Sequence, residues 1–188
     1  MLRRTRADQV VPVYEQLTRL YPDALALSRA KPNRVRRIVY PLGLHWRSDS
    51  FQLVARELIR RYDGRVPSTR NEMEQLPGVG PYVAGAVLSV ALGKPEGIVD
   101  TNVVRVFTRY FGLLPKREAR RDRRVLELAA EYARGTSART ANLGLLDLAA
   151  LVCVPTHPDC GQCPARIRCV FSRRLRAGMK NQQPETGK

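Results

Sequence analysis

Lysine and acid are both scarce in this sequence. Only five lysines occur (Lys31, Lys94, Lys116, Lys180 and Lys188), and Asp and Glu together number 17 against 33 Lys and Arg. The net charge of +16 therefore rests on arginine and points to a polyanionic partner, most often nucleic acid. Arginine offers phosphate a planar fork, whereas lysine offers a point charge. Long apolar runs are also missing. No stretch approaches about 20 apolar residues, which excludes a membrane-spanning helix. The basic segment Met1-Leu2-Arg3-Arg4-Thr5-Arg6 leads into no apolar stretch, so no secretory signal is expected. Period-two alternation and internal repeats are absent, and no cysteine precedes Cys153.

What is present is helical spacing, over a length of 188 residues that suits one large domain or two small ones. Val10, Val13, Tyr14, Leu17 and Leu20 recur at helical intervals, and Pro22 ends that segment. Short helices are expected over Asp23 to Arg29 and Pro32 to Val39, and a longer one over Arg47 to Tyr62, stopped by Asp63-Gly64. Thr69 and Glu72 have capping-box spacing and open the next helix. Further helices are expected from Pro81 to about Leu92, after Asp100, over Arg120 to Ala133 and over Ser137 to Val152. The fold class read from this pattern is all-α. The composition shifts near Leu113-Leu114-Pro115, which divides the chain into domains at 1–112 and 113–176, followed by a polar tail at 177–188 expected to be disordered.

The four cysteines, Cys153, Cys160, Cys163 and Cys169, follow the pattern C-x6-C-x2-C-x5-C. Thiols this close suggest a metal site, and nothing signals the oxidising compartment that disulfides need. Only one C-x2-C knuckle is present where structural zinc commonly uses two, so the spacing favours an iron–sulfur cluster and leaves zinc open. Arg166 and Arg168 lie between the last two cysteines. A metal-braced loop would present them to a phosphate backbone, unless they are simply solvated.

Leu76-Pro77-Gly78-Val79-Gly80 separates two helical segments. Its glycines allow a tight turn and a close approach of backbone to ligand. The first amides of the helix starting at Pro81 lack intrahelical partners, and with the helix dipole they favour an anion. Ala84, Gly85 and Ala86 let a paired helix pack near. An ordinary helix–helix turn has similar chemistry. Asp100 stands just ahead of Thr101-Asn102-Val103-Val104-Arg105-Val106, where a carboxylate is stabilised as the anion and where a plain N-cap is common.

Taken together, these motifs resemble the helix-hairpin-helix DNA glycosylases that carry an iron–sulfur loop. That superfamily includes endonuclease III, the MutY-type adenine glycosylases and the MIG-type mismatch thymine/uracil glycosylases. The resemblance rests on Leu76 to Gly80, on Tyr82-Val83-Ala84-Gly85-Ala86-Val87-Leu88, on Val99-Asp100-Thr101-Asn102-Val103-Val104-Arg105-Val106 and on all four cysteine spacings. It extends to about Phe171.

The resemblance implies a helical barrel domain, a smaller [4Fe–4S] cluster domain held by the four cysteines, and a DNA cleft between them. It implies that Asp100 is catalytic and that Tyr82 stands where endonuclease III-type enzymes carry their Schiff-base lysine. A phenol cannot form that imine, so lyase activity is expected to be weak or absent. Leu44, His45 and Trp46 fall near the family's DNA-wedging loop, and Arg3 lies in a MIG-like segment. The implied substrate is double-stranded DNA with a mismatched or damaged base, and the expected reaction releases thymine or uracil opposite guanine. The implied setting is a monomer in the cytoplasm, at the nucleoid. A MutY-like adenine glycosylase is the alternative, and a non-catalytic DNA-binding module is the alternative of another class. MutY enzymes usually add a C-terminal domain, whereas 17 residues follow Phe171 here. By the same resemblance, relatives extend upstream of Met1 and include a glutamate with no counterpart in this chain.

Overall fold

The computed structural model describes residues 7–43, 48–114, 118–135 and 137–178. These residues are helical, with turns and irregular loops between and no strand among them, which agrees with the expected all-α class. Among them, no helix is long and apolar enough to cross a membrane. The chain packs as two compact units, Met1–Gly80 and Pro81–Lys188. Packing therefore divides the chain at the end of the glycine-rich turn, between Gly80 and Pro81, and the composition shift at Leu113 falls within the second unit.

The first unit contains α1 (Ala7–Leu20), α2 (Ala24–Ser28), α3 (Pro32–Val39), α4 (Ser48–Tyr62) and α5 (Arg70–Glu74). Val10, Val13 and Leu17 of α1 meet Val35, Ile38 and Val39 of α3, and Leu42 closes this core. Asp23 caps α2 by accepting the Ala26 N–H at 2.7 Å. Gln52, buried in α4, donates to the Ala30 carbonyl at 2.6 Å and so pins the end of α2. Thr69 caps α5 as its spacing to Glu72 leads one to expect. Its Oγ1 accepts the Glu72 N–H at 3.4 Å and pairs with the Glu72 carboxylate at 2.6 Å. In the turn that follows, Gly78 has φ +73°, which a side chain rarely tolerates.

The second unit contains α6 (Pro81–Ala86), α7 (Thr101–Phe111), α8 (Arg123–Arg134), α9 (Ala138–Leu151) and α10 (Val170–Arg176). Its core gathers Val103, Val104, Val106 and Phe107 of α7, Val125 and Ala129 of α8, and Leu145 and Ala149 of α9. The helix expected from Pro81 to Leu92 is not uniform, because its second half, Val87–Ala91, is a π-helical turn. Ser89, fully buried there, donates to the Gly85 carbonyl at 2.7 Å. Arg139 of α9 donates to the Val90 carbonyl at 2.9 Å. Gly112 ends α7 in the left-handed region with φ +70°, and a Cβ there would stand 2.8 Å from Val170, so α10 approaches at a distance only glycine permits. Ala177 and Gly178 close α10 with backbone bonds to Arg173 and Leu175, and residues 179–188 of the expected tail lie outside the described residues.

Candidate active site and cysteine loop

Asp100 occupies the N-cap of α7, with the extended backbone that position requires. Its Oδ1 accepts the amides of Asn102 and Val103, each at 2.8 Å. Its Oδ2 accepts the side-chain amide of Asn102, also at 2.8 Å. The cap expected from the sequence is thus real, and Asp100 remains half-buried. Three N–H donors at a helix N-terminus fix the orientation of the carboxyl group.

Tyr82, the second residue of α6, is 36% exposed. Burial pushes its phenol above the ordinary tyrosine range, and the Asp100 carboxylate pushes in the same direction. Tyr82 and Asp100 therefore share one electrostatic neighbourhood.

Sequence reasoning missed what lies behind Asp100. Arg105, one turn along α7, donates to the Asn102 Oδ1 at 2.9 Å, to the Ala149 carbonyl at 2.8 Å and to the Cys153 carbonyl at 2.8 Å. Burial lowers its guanidinium's pKa, while the Cys153 and Asp100 charges act in the opposite sense. An unbroken chain of hydrogen bonds thus runs from Asp100 through Asn102 and Arg105 to the first cysteine.

Arg109, four residues further on and 6% exposed, holds the same loop. It donates to the Val154 and Pro155 carbonyls, each at 2.7 Å, and its Nη1 stands 3.5 Å from the Cys153 Sγ. Its guanidinium lies 4.7 Å from the centre of the Phe171 ring. The Cys169 thiol donates to the Arg109 carbonyl at 3.6 Å. All four cysteines are half-buried. Burial pushes the Cys160 thiol up, the other three cysteines push it further, and Arg109 opposes them, so the four thiols share one neighbourhood. Among the described residues, no three His, Cys, Asp or Glu side chains close around a single ion.

The remaining sequence-derived residues are scattered by comparison. Arg166 and Arg168 are exposed on the cysteine loop, and Arg166 donates to the Gly161 carbonyl. In the glycine-rich turn, Leu76 is buried, Pro77 and Val79 are half-buried and Gly78 is exposed. A Cβ at Gly80 would meet open space. Arg3, Leu44, His45 and Trp46 lie outside the described residues.

The turn and its flanking helices make this a helix-hairpin-helix protein, and the family description "helix-hairpin-helix motif" matches residues 61–90. The thymine/uracil-DNA glycosylase of Pyrobaculum aerophilum is 38% identical over 91% of this chain and 76% of its own length. The thymine-DNA glycosylase of Aeropyrum pernix is 36% identical over 91% of this chain and 78% of its own. The human adenine DNA glycosylase is 32% identical over 93% of this chain but 32% of its own length. Among solved structures, a thermostable thymine-DNA glycosylase superposes with a TM-score of 0.86 at 33% identity, covering 92% of this chain and 80% of that one. Endonuclease III trapped covalently on DNA superposes with a TM-score of 0.74 at 25% identity, covering 93% of this chain and 81% of that one. This chain belongs to the helix-hairpin-helix DNA glycosylase superfamily.

Proposed function

We propose that this chain is a monofunctional mismatch DNA glycosylase that hydrolyses the bond between deoxyribose and a thymine or uracil opposite guanine. The observation that carries this reading is the pairing of an oriented carboxylate, Asp100, with a phenol at position 82. The similarity to thymine and uracil glycosylases along most of the chain supports the choice of base. In the reaction the C1′–N bond breaks and the base leaves with the electron pair. The positive charge left on the sugar is stabilised by the Asp100 carboxylate, in the manner of other glycoside hydrolyses. Water then adds to C1′ and its proton passes to the departed base, leaving an abasic site and the neutral free base. A mismatched base flips out at lower cost than a paired one, which supplies part of the selectivity.

The +16 charge supports duplex DNA as partner. In this reading the turn Leu76 to Gly80 and the first amides of α6 hold the DNA backbone, and Arg166 and Arg168 add phosphate contacts. Strand nicking by alkali after incubation with duplexes containing G:T, G:U, A:G and A:8-oxoguanine pairs tests the function. Release from G:T and G:U is expected. Release confined to the adenine duplexes would move the chain to the MutY type, and release from none would overturn the glycosylase reading.

Four half-buried thiols that share one electrostatic neighbourhood are a donor set suited to a [4Fe–4S] cluster, and residues 113–176 are the cluster-bearing part of the protein in this reading. Cys153, Cys160, Cys163 and Cys169 would hold it, and it would brace the loop that anchors Arg105. The purified protein is expected to be brown, with about four irons per chain. A colourless protein with stoichiometric zinc would overturn this assignment.

Position 82 gives a further expected result. Tyr82→Lys should form an adduct with substrate DNA that borohydride traps, because the lysine amine stands beside the carboxylate that acts at C1′. Asp100 will hold the new amine's pKa up against the effect of burial, so trapping should improve towards higher pH. A variant that still releases base but yields no adduct would mean that residue 82 does not face the sugar.

A further inference from the structure

The backbone that delivers Asp100 is gripped from two sides by groups that take no part in the proposed chemistry. On one side stands Asn142 of α9, 2% exposed. Its Oδ1 accepts the Ile98 N–H at 3.0 Å across 44 residues of sequence, and its Nδ2 donates to the Glu96 carbonyl at 2.8 Å. A single side-chain amide thus makes to residues 96 and 98 the two bonds that a parallel strand would make around residue 97. On the other side, Gly97 lies against the backbone of Ala129 in α8, where a Cβ would fall 2.6 Å from the Ala129 carbonyl carbon. Ile98, 2% exposed, seals the segment, and Asp100 follows two residues later.

The cap bonds orient the Asp100 carboxylate relative to α7, and the grip on 96–98 fixes where the chain enters that helix. We propose that Asn142, with Gly97 opposite it, is a positioning residue for the glycosylase reaction. It sets the height of Asp100 over the sugar without touching DNA. This inference rests on the glycosylase reading. An asparagine suits the task because it offers one donor and one acceptor in a single plane. A leucine of similar size would take away the partner of the Ile98 N–H in a buried place, and the segment would shift to recover one. A displacement of about 1 Å at a reacting group is worth about 10²-fold in rate.

The test compares four proteins, the wild type, Asn142→Leu, Gly97→Ala and Val125→Ala. Val125 is 1% exposed in the same α7–α8–α9 core, so its truncation lowers stability while leaving Asn142 and Gly97 in place. Single-turnover base release on the wild type's preferred mismatch, its active-fraction amplitude, the Kd for the same duplex and the melting temperature are measured for each. Asn142→Leu and Gly97→Ala are expected to lose about 10- to 100-fold in the release rate constant, with Kd changed less than about threefold. Val125→Ala is expected to melt earlier yet keep the wild-type rate constant. If Asn142→Leu fails to fold, Gly97→Ala presses on the same segment from the opposite side and decides alone. A release rate for Asn142→Leu within twofold of Val125→Ala, or a loss confined to active fraction, would make Asn142 merely structural. Absence of release by the wild type itself would overturn the glycosylase reading, and this inference with it.

Discussion

Replacing Asp100 with asparagine is expected to slow base release by on the order of 10³-fold while leaving the protein folded and able to bind DNA. Folding survives because asparagine caps a helix about as well as aspartate. The new Oδ1 can still accept the Asn102 and Val103 amides, now 2.8 Å from Asp100 Oδ1. Two small losses follow. The new amide would face the Asn102 side-chain donor that Oδ2 now accepts, and the favourable charge at the helix start disappears. Together these cost about 1–2 kcal/mol. Duplex affinity should hold or rise, since in the proposed reading a negative charge leaves the surface that meets DNA. Single-turnover release, Kd and thermal unfolding measured on one preparation separate these effects. Release within tenfold of wild type would remove Asp100 from the chemistry.

Arg109→Met should have the largest effect on stability. The guanidinium is buried, and it binds two consecutive carbonyls and approaches the Cys153 sulfur. Methionine fills much of the volume and offers no donor, which leaves the Val154 and Pro155 carbonyls to find other partners. Breaking buried charged hydrogen bonds of this kind costs about 3–5 kcal/mol. For a protein of this size that is a fall of roughly 10 °C in the melting midpoint. If the four cysteines hold the proposed cluster, iron content should fall with it, because the loop that starts at Cys153 loses the Arg109 tether. A midpoint within about 2 °C of wild type, with full iron, would show that the loop is held by other contacts.

The elements at the site were unequally legible. Asp100 could be found because cap chemistry and motif position coincide at one residue. The cysteines could be found because four thiols in so short a segment admit few roles. Arg105 and Arg109 were hidden by their own spacing. Arginines four apart on a helix ordinarily mark a solvated face, whereas α7 packs against α8, α9 and α10 and leaves little of its surface to water. Asn142 was hidden differently. A lone amide among Ala141, Leu143 and Gly144 carries no pattern, and its partners lie 44 and 46 residues away. The π-helical turn was illegible too, since apolar spacing in so short a stretch cannot separate one helical pitch from another.

That turn makes helical pitch part of the site. A π turn accommodates one residue more than the α-helix around it. Leu88 and Ser89 are fixed in the core on its inner side, while Tyr82 sits on α6 just ahead of it. With every residue kept, a relaxation of Val87–Ala91 to regular α-helical pitch would rotate Tyr82 by about 100° relative to Leu88 and Ser89. The phenol would swing away from Asp100, and its titration would no longer register that carboxylate. A change of helical pitch alone would then separate the two proposed site residues with every side chain still present.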